Sequence, residues 1–230
     1  VPCVGVKEGV LLDLVDEQVS DDGLGRHERI VREGALTLGR RYLFDEAHAR
    51  HVARLATSLF DQLGGLHGLA PEDRRVLIAA AILHDLGQHI SYRKHHKHSL
   101  YLILNSEIPG VSPSELALVA LVARYHRRAD PNDDHYLYSE LSSDDRERVR
   151  RLAALLRVAD SLDREHLQRV RGVHAVVDGD GVHLTLSGDS PLLLEQWALE
   201  KKGRLFDRVF GAHPRVTLEP GGMEEASGGA

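Results

Sequence analysis

The sequence has almost no cysteine and no long apolar run. Cys3 is the only cysteine in 230 residues, which excludes a disulfide framework and fits a reducing compartment. No apolar stretch approaches the ~20 residues that a membrane-spanning helix needs, and no signal-peptide pattern opens the chain. These absences predict a cytoplasmic protein without a membrane partner.

Aromatic residues and surplus positive charge are also scarce. Aromatic residues make up 5% of the chain and hydrophobic residues 42%, so we expect a core of leucine, alanine and valine, as in helical proteins. The formal net charge is −6 and the sequence pI about 6.2. Such a balance argues against sequence-specific nucleic-acid binding, which usually needs a basic surplus. It still allows a local basic patch that faces a phosphorylated ligand.

The spacing of apolar residues divides the chain into four parts. Residues 1–14 are predicted to form a short extended segment, and residues 15–170 carry the three- and four-residue spacing of amphipathic helices. In residues 171–219, two alternating segments flank a glycine-containing turn, which predicts a hairpin, and a helix and a last strand follow. Residues 220–230 are glycine-rich and are expected to be disordered. The predicted fold is mainly α, with a helical domain followed by a small α/β subdomain.

Candidate caps mark the helix boundaries. Asp45 stands at the N-cap position of one helix, and Gly64 is expected to end it. Pro71, Ser112 and Ser143 are expected to open three later helices. The last of these is predicted to continue through RERVRRLAALLRVADSLDREH, and LLLEQWALEKKGRLFDRVF is predicted to form one helix of the α/β subdomain.

The chain contains 15 histidines, and several lie in or beside apolar helical segments. His48 is near the start of one predicted helix, His84 and Asp85 close the next, His126 ends another and Asp160 lies inside the longest. Burying such groups is costly unless they are paired or bind a metal. Imidazole and carboxylate ligands suit Mn, Fe, Zn, Ni or Co, and Mg where carboxylates and water dominate. The pattern predicts a divalent-metal site.

The segments HARHVARLA, AAAILHDLG and RVADSLD resemble the HD superfamily of metal-dependent phosphohydrolases, in which a histidine, a His-Asp pair and a last aspartate lie on successive helices. Two-metal members add two histidines between the pair and the last aspartate. The resemblance implies one or two divalent ions and these ligands: His48, His84, Asp85, His98, His126 and Asp160. His51, on the same helical face as His48, is the alternative first ligand.

The resemblance also implies a mechanism. Divalent ions would lower the pKa of a water, and Asp85 and His84 would be the catalytic residues, with Asp85 orienting that water. Basic side chains near the same segments would bind the phosphate through charge-assisted hydrogen bonds. The three assigned to this role are Lys97, Arg124 and Arg127.

A narrower resemblance follows from HHKHSLYLILNSEIPGVS, ALVARYHRRADP and RRLAALLRVADSLDREH. These strings are similar to the C-terminal half of the exopolyphosphatase and guanosine-pentaphosphate phosphatase (Ppx/GppA) family, over residues 5 to 218. In that family two actin-like domains precede the helical region, and GVKEGVLLDL resembles the last strand of the second. The family's water-activating glutamate and phosphate-binding loops belong to those domains, so no residue here takes those roles. The resemblance implies a hydrolase of phosphoanhydride bonds in polyphosphate or guanosine pentaphosphate, and a homodimer.

Two other functions stay open. The helical domain could be a self-sufficient HD-type phosphohydrolase of nucleotides or phosphate esters, or a non-catalytic module for polyanion binding or dimerisation. Structural roles are expected for several remaining residues: solvent exposure for His95 and His96, a helix-surface charge for Asp163, and a core position for Trp197. No chemistry is expected from the α/β subdomain.

Overall fold

A computed structural model describes residues 23–179, 181–188 and 192–218. The predictions for residues 1–14 and 220–230 therefore lie outside the described residues. The helical part comprises α1 Gly23–Arg41, α2 Glu46–Gln62, α3 Gly64–His67, α4 Asp73–Leu83, a 3-10 turn Leu86–His89, α5 His95–Leu104, α6 Pro113–Arg124, α7 Tyr136–Ser139 and α8 Ser143–Ser161. The remaining elements are β1 Val170–Asp178, β2 Gly181–Gly188, α9 Leu193–Lys202, α10 Arg204–Phe210 and β3 His213–Leu218.

Helix α4 lies at the centre of the helical part and packs against α1, α2, α6 and α8. Its residues from Val76 to Leu83 are all buried, which explains why this segment is apolar on every side rather than on one stripe. Leucine, alanine and valine make up most of the buried core, as predicted. The end of α4 therefore places His84 in the interior of the helical part, and the half-buried Asp85 follows it directly.

The cap predictions hold for two helices. Asp45 accepts a hydrogen bond from the backbone N–H of His48 at 3.1 Å, and Ser112 forms a capping box ahead of α6. The other boundaries shift by a few residues. Helix α4 begins at Asp73, after a turn that contains Pro71, and Ser142 rather than Ser143 caps α8. Each shift covers one or two residues, the length over which helix ends fray.

Two predicted helices end earlier than expected. Helix α8 stops at Ser161, and the next residues fold back as a turn in which His166 and Gln168 adopt positive φ angles of 58° and 50°. This turn holds the side chains of Asp163 and His166 beside His48. A continued helix would carry both side chains away from it. The predicted helix of the α/β subdomain is divided at Gly203 into α9 and α10.

The α/β unit is a three-stranded sheet with two helices. Strand β1 pairs antiparallel with β2 through the predicted hairpin, and β2 pairs parallel with β3. Helices α9 and α10 make the crossover between the parallel strands and pack against α8. The prediction of a mainly α fold with a small α/β unit is confirmed. Among the described helices, none combines the length and the apolar character of a membrane span.

Candidate metal and phosphate site

Five of the six predicted ligands lie together at one point of the helical part. His48 comes from the first turn of α2, His84 and Asp85 from the end of α4, His126 from just beyond α6, and Asp160 from the last turn of α8. The three histidines are at most 2% exposed and Asp160 is 6% exposed. Four helix ends thus deliver imidazoles and carboxylates to one buried location.

His48, His84 and Asp160 form the first group that could hold a metal ion. The Nε2 atoms of His48 and His84 are 3.3 Å apart. Oδ1 of Asp160 lies 3.8 Å from Nε2 of His48 and 3.7 Å from Nε2 of His84. All three ligand atoms therefore face the same small volume.

Asp85, His95 and His126 form a second such group. Oδ1 of Asp85 lies 3.0 Å from Nε2 of His95 and 3.4 Å from Nε2 of His126, and the two Nε2 atoms are 3.2 Å apart. The other oxygen of Asp85, Oδ2, lies 3.7 Å from Nε2 of His84. The Asp85 carboxylate therefore stands between the two groups and faces both.

The structure does not bring His98 into this cluster and places His95 there instead. His95 is 2% exposed, which contradicts the expectation that it is solvated, and His96 is also buried. Lys94 has a positive φ of 63° before α5 and turns the first residue of the helix toward the site. His98, one turn later, packs over the 3-10 turn. Its Cβ is so close to Gly87 that a Cβ added to this glycine would lie 2.7 Å from it.

Each imidazole of the cluster directs Nδ1 outward to an oxygen acceptor. The four contacts are His48 with the Asp163 carboxylate at 2.8 Å, His84 with the Ala81 carbonyl at 2.7 Å, His95 with the Tyr92 carbonyl at 3.1 Å and His126 with the Ala123 carbonyl at 2.6 Å. An Nδ1–H donated outward leaves the Nε2 lone pair facing inward, as in metal-binding histidines. Two lone pairs that face each other at 3.2–3.3 Å repel, and a cation between them would remove that repulsion.

Asp163 has a different position from the helix-surface charge that the sequence suggested. It is 2% exposed, because the chain turns back after α8, and it also accepts a hydrogen bond from the backbone N–H of Gln168 at 2.7 Å. Burial raises the pKa of Asp163, but the hydrogen bonds with His48 and Gln168 outweigh it and leave the pKa lowered. The carboxylate is thus ionised and fixes the ring of His48.

The carboxylates of the cluster are held in their ionised form. Burial raises the pKa of Asp85, but the imidazoles of His84, His95 and His126, which face its carboxylate, outweigh burial and leave the pKa well below its usual value. For Asp160 the opposing contributions come from Lys202, which forms an ion pair with it, and then His84 and His126, so its pKa is also lowered. Burial lowers the pKa of the His126 imidazole well below its usual value. Ionised carboxylates and a neutral imidazole are the forms that bind metals.

Comparison with known proteins supports one family. The model of the Ppx/GppA phosphatase family, domain III, matches residues 30–202. The chain belongs to the Ppx/GppA phosphatase family.

Three curated relatives carry the name guanosine-5'-triphosphate,3'-diphosphate pyrophosphatase. The Vibrio campbellii protein is 29% identical over 190 residues, which is 82% of this chain and 35% of the relative. The Vibrio parahaemolyticus protein is 30% identical over 192 residues, with the same two shares. The Pseudoalteromonas translucida protein is 34% identical over 128 residues, which is 53% of this chain and 23% of the relative. The chain therefore spans about a third or less of the length of these relatives.

Of the three predicted phosphate-binding residues in this Ppx/GppA domain, only Arg127 lines the cavity above the cluster. One of its terminal nitrogens lies 3.3 Å from Nε2 of His95. Lys97 is exposed on α5, and the guanidinium of Arg124 stacks 5.6 Å from the ring centroid of Tyr125. Neither Lys97 nor Arg124 lines the cavity.

The α/β unit of the Ppx/GppA domain supplies residues that the sequence did not point to. Trp197, Lys201 and Lys202 of α9 line the same cavity, as does Arg164 from the turn after α8. Trp197 is 49% exposed, so the expected core position is wrong, because α9 packs on α8 through its opposite face. Lys202 meets Asp160 from 42 positions away, and no local pattern encodes such a contact.

Proposed function

We propose that this chain contains a divalent-metal phosphohydrolase centre and that the protein hydrolyses phosphoanhydride bonds in polyphosphate or a phosphorylated nucleotide. The observation that carries the proposal is the pair of groups whose Nε2 lone pairs face each other, with the Asp85 carboxylate between them. The family supports the phosphohydrolase part, since three relatives are named as pyrophosphatases of a guanosine nucleotide.

The residues present fit divalent ions. His48, His84 and Asp160 would hold one ion, and His95 and His126 a second, with Asp85 shared between them. Divalent ions in such a site supply Lewis acidity that polarises a phosphoryl group and makes a water a better nucleophile. The mixed nitrogen and oxygen set suits Mn, Fe, Zn, Ni or Co, and Mg to a smaller degree.

The chain's own groups would then position the reacting parts. The ionised carboxylate of Asp85 would accept a hydrogen bond from the attacking water and orient it toward phosphorus. His84 would hold its Nε2 lone pair toward the same point through its bond with Ala81. Arg127 would bind the phosphoryl oxygens, whose charge increases in the transition state, through charge-assisted hydrogen bonds. The histidines of the cluster and Asp160 are buried, so these interactions are shielded from bulk water. Electrostatic interactions are stronger there than in bulk water.

Metal content tests the centre directly. We expect elemental analysis of the purified chain, after incubation with Mn²⁺, to give two divalent ions per chain and Asp85→Ala to lose most of them, because Asp85 faces both groups. His95→Ala should lose about one ion. His98→Ala, on the same helix, is the matched control and should retain both. Metal-free wild-type protein, or equal losses in the two histidine variants, would contradict the proposed ligand set.

Phosphate release separates this proposal from its alternatives. The chain would be incubated with Mn²⁺ and polyphosphate, guanosine 5'-triphosphate 3'-diphosphate or p-nitrophenyl phosphate. Metal-dependent release by the chain alone supports a self-sufficient HD-type enzyme. Bound metal without release supports a centre that works as part of a longer hydrolase. Binding of phosphate chains without any metal supports a non-catalytic module. The homodimer that the family resemblance implies and the predicted cytoplasmic location stay predictions.

A further inference from the structure

The mouth above Asp85 and Asp160 carries two exposed aromatic side chains. It is a cavity of about 210 Å³. Tyr92, which precedes α5, is 63% exposed and Trp197 of α9 is 49% exposed, and both line this cavity. Metal binding and phosphoryl transfer need oxygen and nitrogen ligands and cations, but no aromatic ring. The proposed chemistry therefore leaves both rings unexplained.

Each ring is accompanied by a cation at the same rim. The guanidinium of Arg127 lies 6.0 Å from the ring centroid of Tyr92, and Nζ of Lys201 lies 3.8 Å from that of Trp197. Arg164, also at the rim, is exposed and makes no hydrogen bond or ion pair within the described residues. Among the residues that the structure describes, no carboxylate pairs with Arg127 or with Lys201. Three cations are thus available for an anion.

We propose that Tyr92, Arg127, Arg164, Trp197 and Lys201 form a rim that recognises a nucleotide, whose base stacks on an exposed ring while its phosphates bind the cations. The inference rests on the proposed function, because it takes the phosphoryl end to reach Asp85 and Asp160. Base stacking on aromatic side chains tolerates any base, and arginine and lysine pair with phosphate oxygens.

The size of the cavity agrees with a ligand whose phosphoryl end lies inside the cavity and whose base lies outside it. Sites that enclose a whole drug-sized ligand measure about 300–1,000 Å³, whereas this cavity measures about 210 Å³. It has room for the phosphoryl end, and the base would lie on the open rim, where the rings are. Polyphosphate or a sugar phosphate would use the cations but gain nothing from the rings.

Helix α9 also exposes Leu193 and Leu194, at 69% and 48%. A contact between two copies of the chain would use these leucines together with Trp197. Neither leucine lines the cavity, whereas Trp197 lies among its cations. The position of the indole therefore favours a charged ligand with a planar group over an apolar protein surface.

Trp197 is the only tryptophan in the chain, so intrinsic fluorescence reports on the rim. We expect adenosine 5'-monophosphate to change the emission saturably in metal-free and in Mg²⁺-loaded protein, and ribose 5-phosphate or inorganic phosphate to change it little. In calorimetry, Trp197→Leu should bind adenosine 5'-monophosphate about tenfold more weakly with unchanged affinity for ribose 5-phosphate. Trp197→Phe should keep most of the affinity, and the control Leu193→Ala all of it.

Two outcomes overturn the inference, and one separates it from the proposed function. Equal affinity for adenosine 5'-monophosphate and ribose 5-phosphate, with or without Mg²⁺, would rule out base recognition and leave the metal centre standing. Emission that changes with protein concentration but not with nucleotide would assign α9 to a contact between copies. Nucleotide binding in a chain that takes up no divalent ion would support the rim and reject the metal centre.

Discussion

At the residue scale, the cluster depends on acceptors that hold each imidazole in one orientation. Backbone carbonyls do this for His84, His95 and His126, but His48 relies on the side chain of Asp163. The ring of His48 also stacks on His166, with centroids 3.6 Å apart. The one acceptor that mutagenesis can remove cleanly is therefore Asp163.

Asp163→Asn should weaken divalent-metal binding by about 10- to 100-fold, because a neutral amide oxygen is a poorer acceptor for Nδ1–H and orients His48 less well. The measurement is a competition titration of Mn²⁺ or Zn²⁺ against a chelating indicator. Asp144→Asn, an exposed change in the first turn of α8, is the control and should leave the affinity unchanged. Equal affinities for the two variants would show that Asp163 does not position His48.

At the element scale, the close approach of the 3-10 turn to α5 is what brings His95 to the site. The backbone N–H of Gly87 donates to Oγ of Ser99 at 2.9 Å, and that hydroxyl donates to the carbonyl of His84 at 2.7 Å. A Cβ added to Gly87 would lie 2.2 Å from the carbonyl oxygen of His95 and 2.4 Å from the backbone nitrogen of Ser99. Glycine is therefore required for contact rather than for a special φ angle.

Gly87→Ala should force α5 away from the His-Asp turn and lower the free energy of unfolding by at least about 2 kcal/mol, since the clashing atoms are backbone and cannot rotate aside. Urea denaturation measures this loss, and the metal content should fall with it. Gly65→Ala is the matched control, because an added Cβ there meets no atom within 4 Å. An unfolding free energy for Gly87→Ala equal to that of the control would refute the close packing.

At the scale of the whole molecule, the α/β unit and the helical part share partly buried polar contacts. Lys202 pairs with Asp160 inside the site. The side chain of Gln62 donates to the carbonyl of Val173 at 3.0 Å and accepts from the backbone N–H of Ala175 at 2.8 Å. Asp160 is buried, and loss of Lys202 would leave its carboxylate without its charged partner, which is strongly unfavourable. Separate unfolding of either part would therefore be costly.

We therefore expect one cooperative unfolding transition. Trp197 fluorescence reports on the α/β unit and far-ultraviolet circular dichroism reports mainly on the helices, and both should give the same urea midpoint. The comparison should be repeated with metal-free Asp85→Ala protein, so that bound ions do not impose the coincidence. A tryptophan transition at clearly lower urea would show that the α/β unit is an independent domain.

The sequence by itself determined the helical architecture and most of the positions of the candidate ligands. Asp45 and Ser112 act on the backbone within three residues, so their caps are readable locally. The apolar character around His84 requires burial of that histidine wherever the helix packs. A buried polar residue at a helix end is predictable from its neighbours in the chain. The apolar residues around it indicate both its position and the free-energy cost of burying it.

The tertiary structure decided which side chains complete the site. The choice of His95 over His98 depends on a left-handed residue before α5 and on the contact at Gly87. Asp163 is buried because α8 ends at Ser161, and Trp197 reaches the mouth because α9 packs on α8 from far along the chain. Hydrophobic periodicity encodes which face of a helix is buried, but contacts between distant segments follow from how those faces pack together.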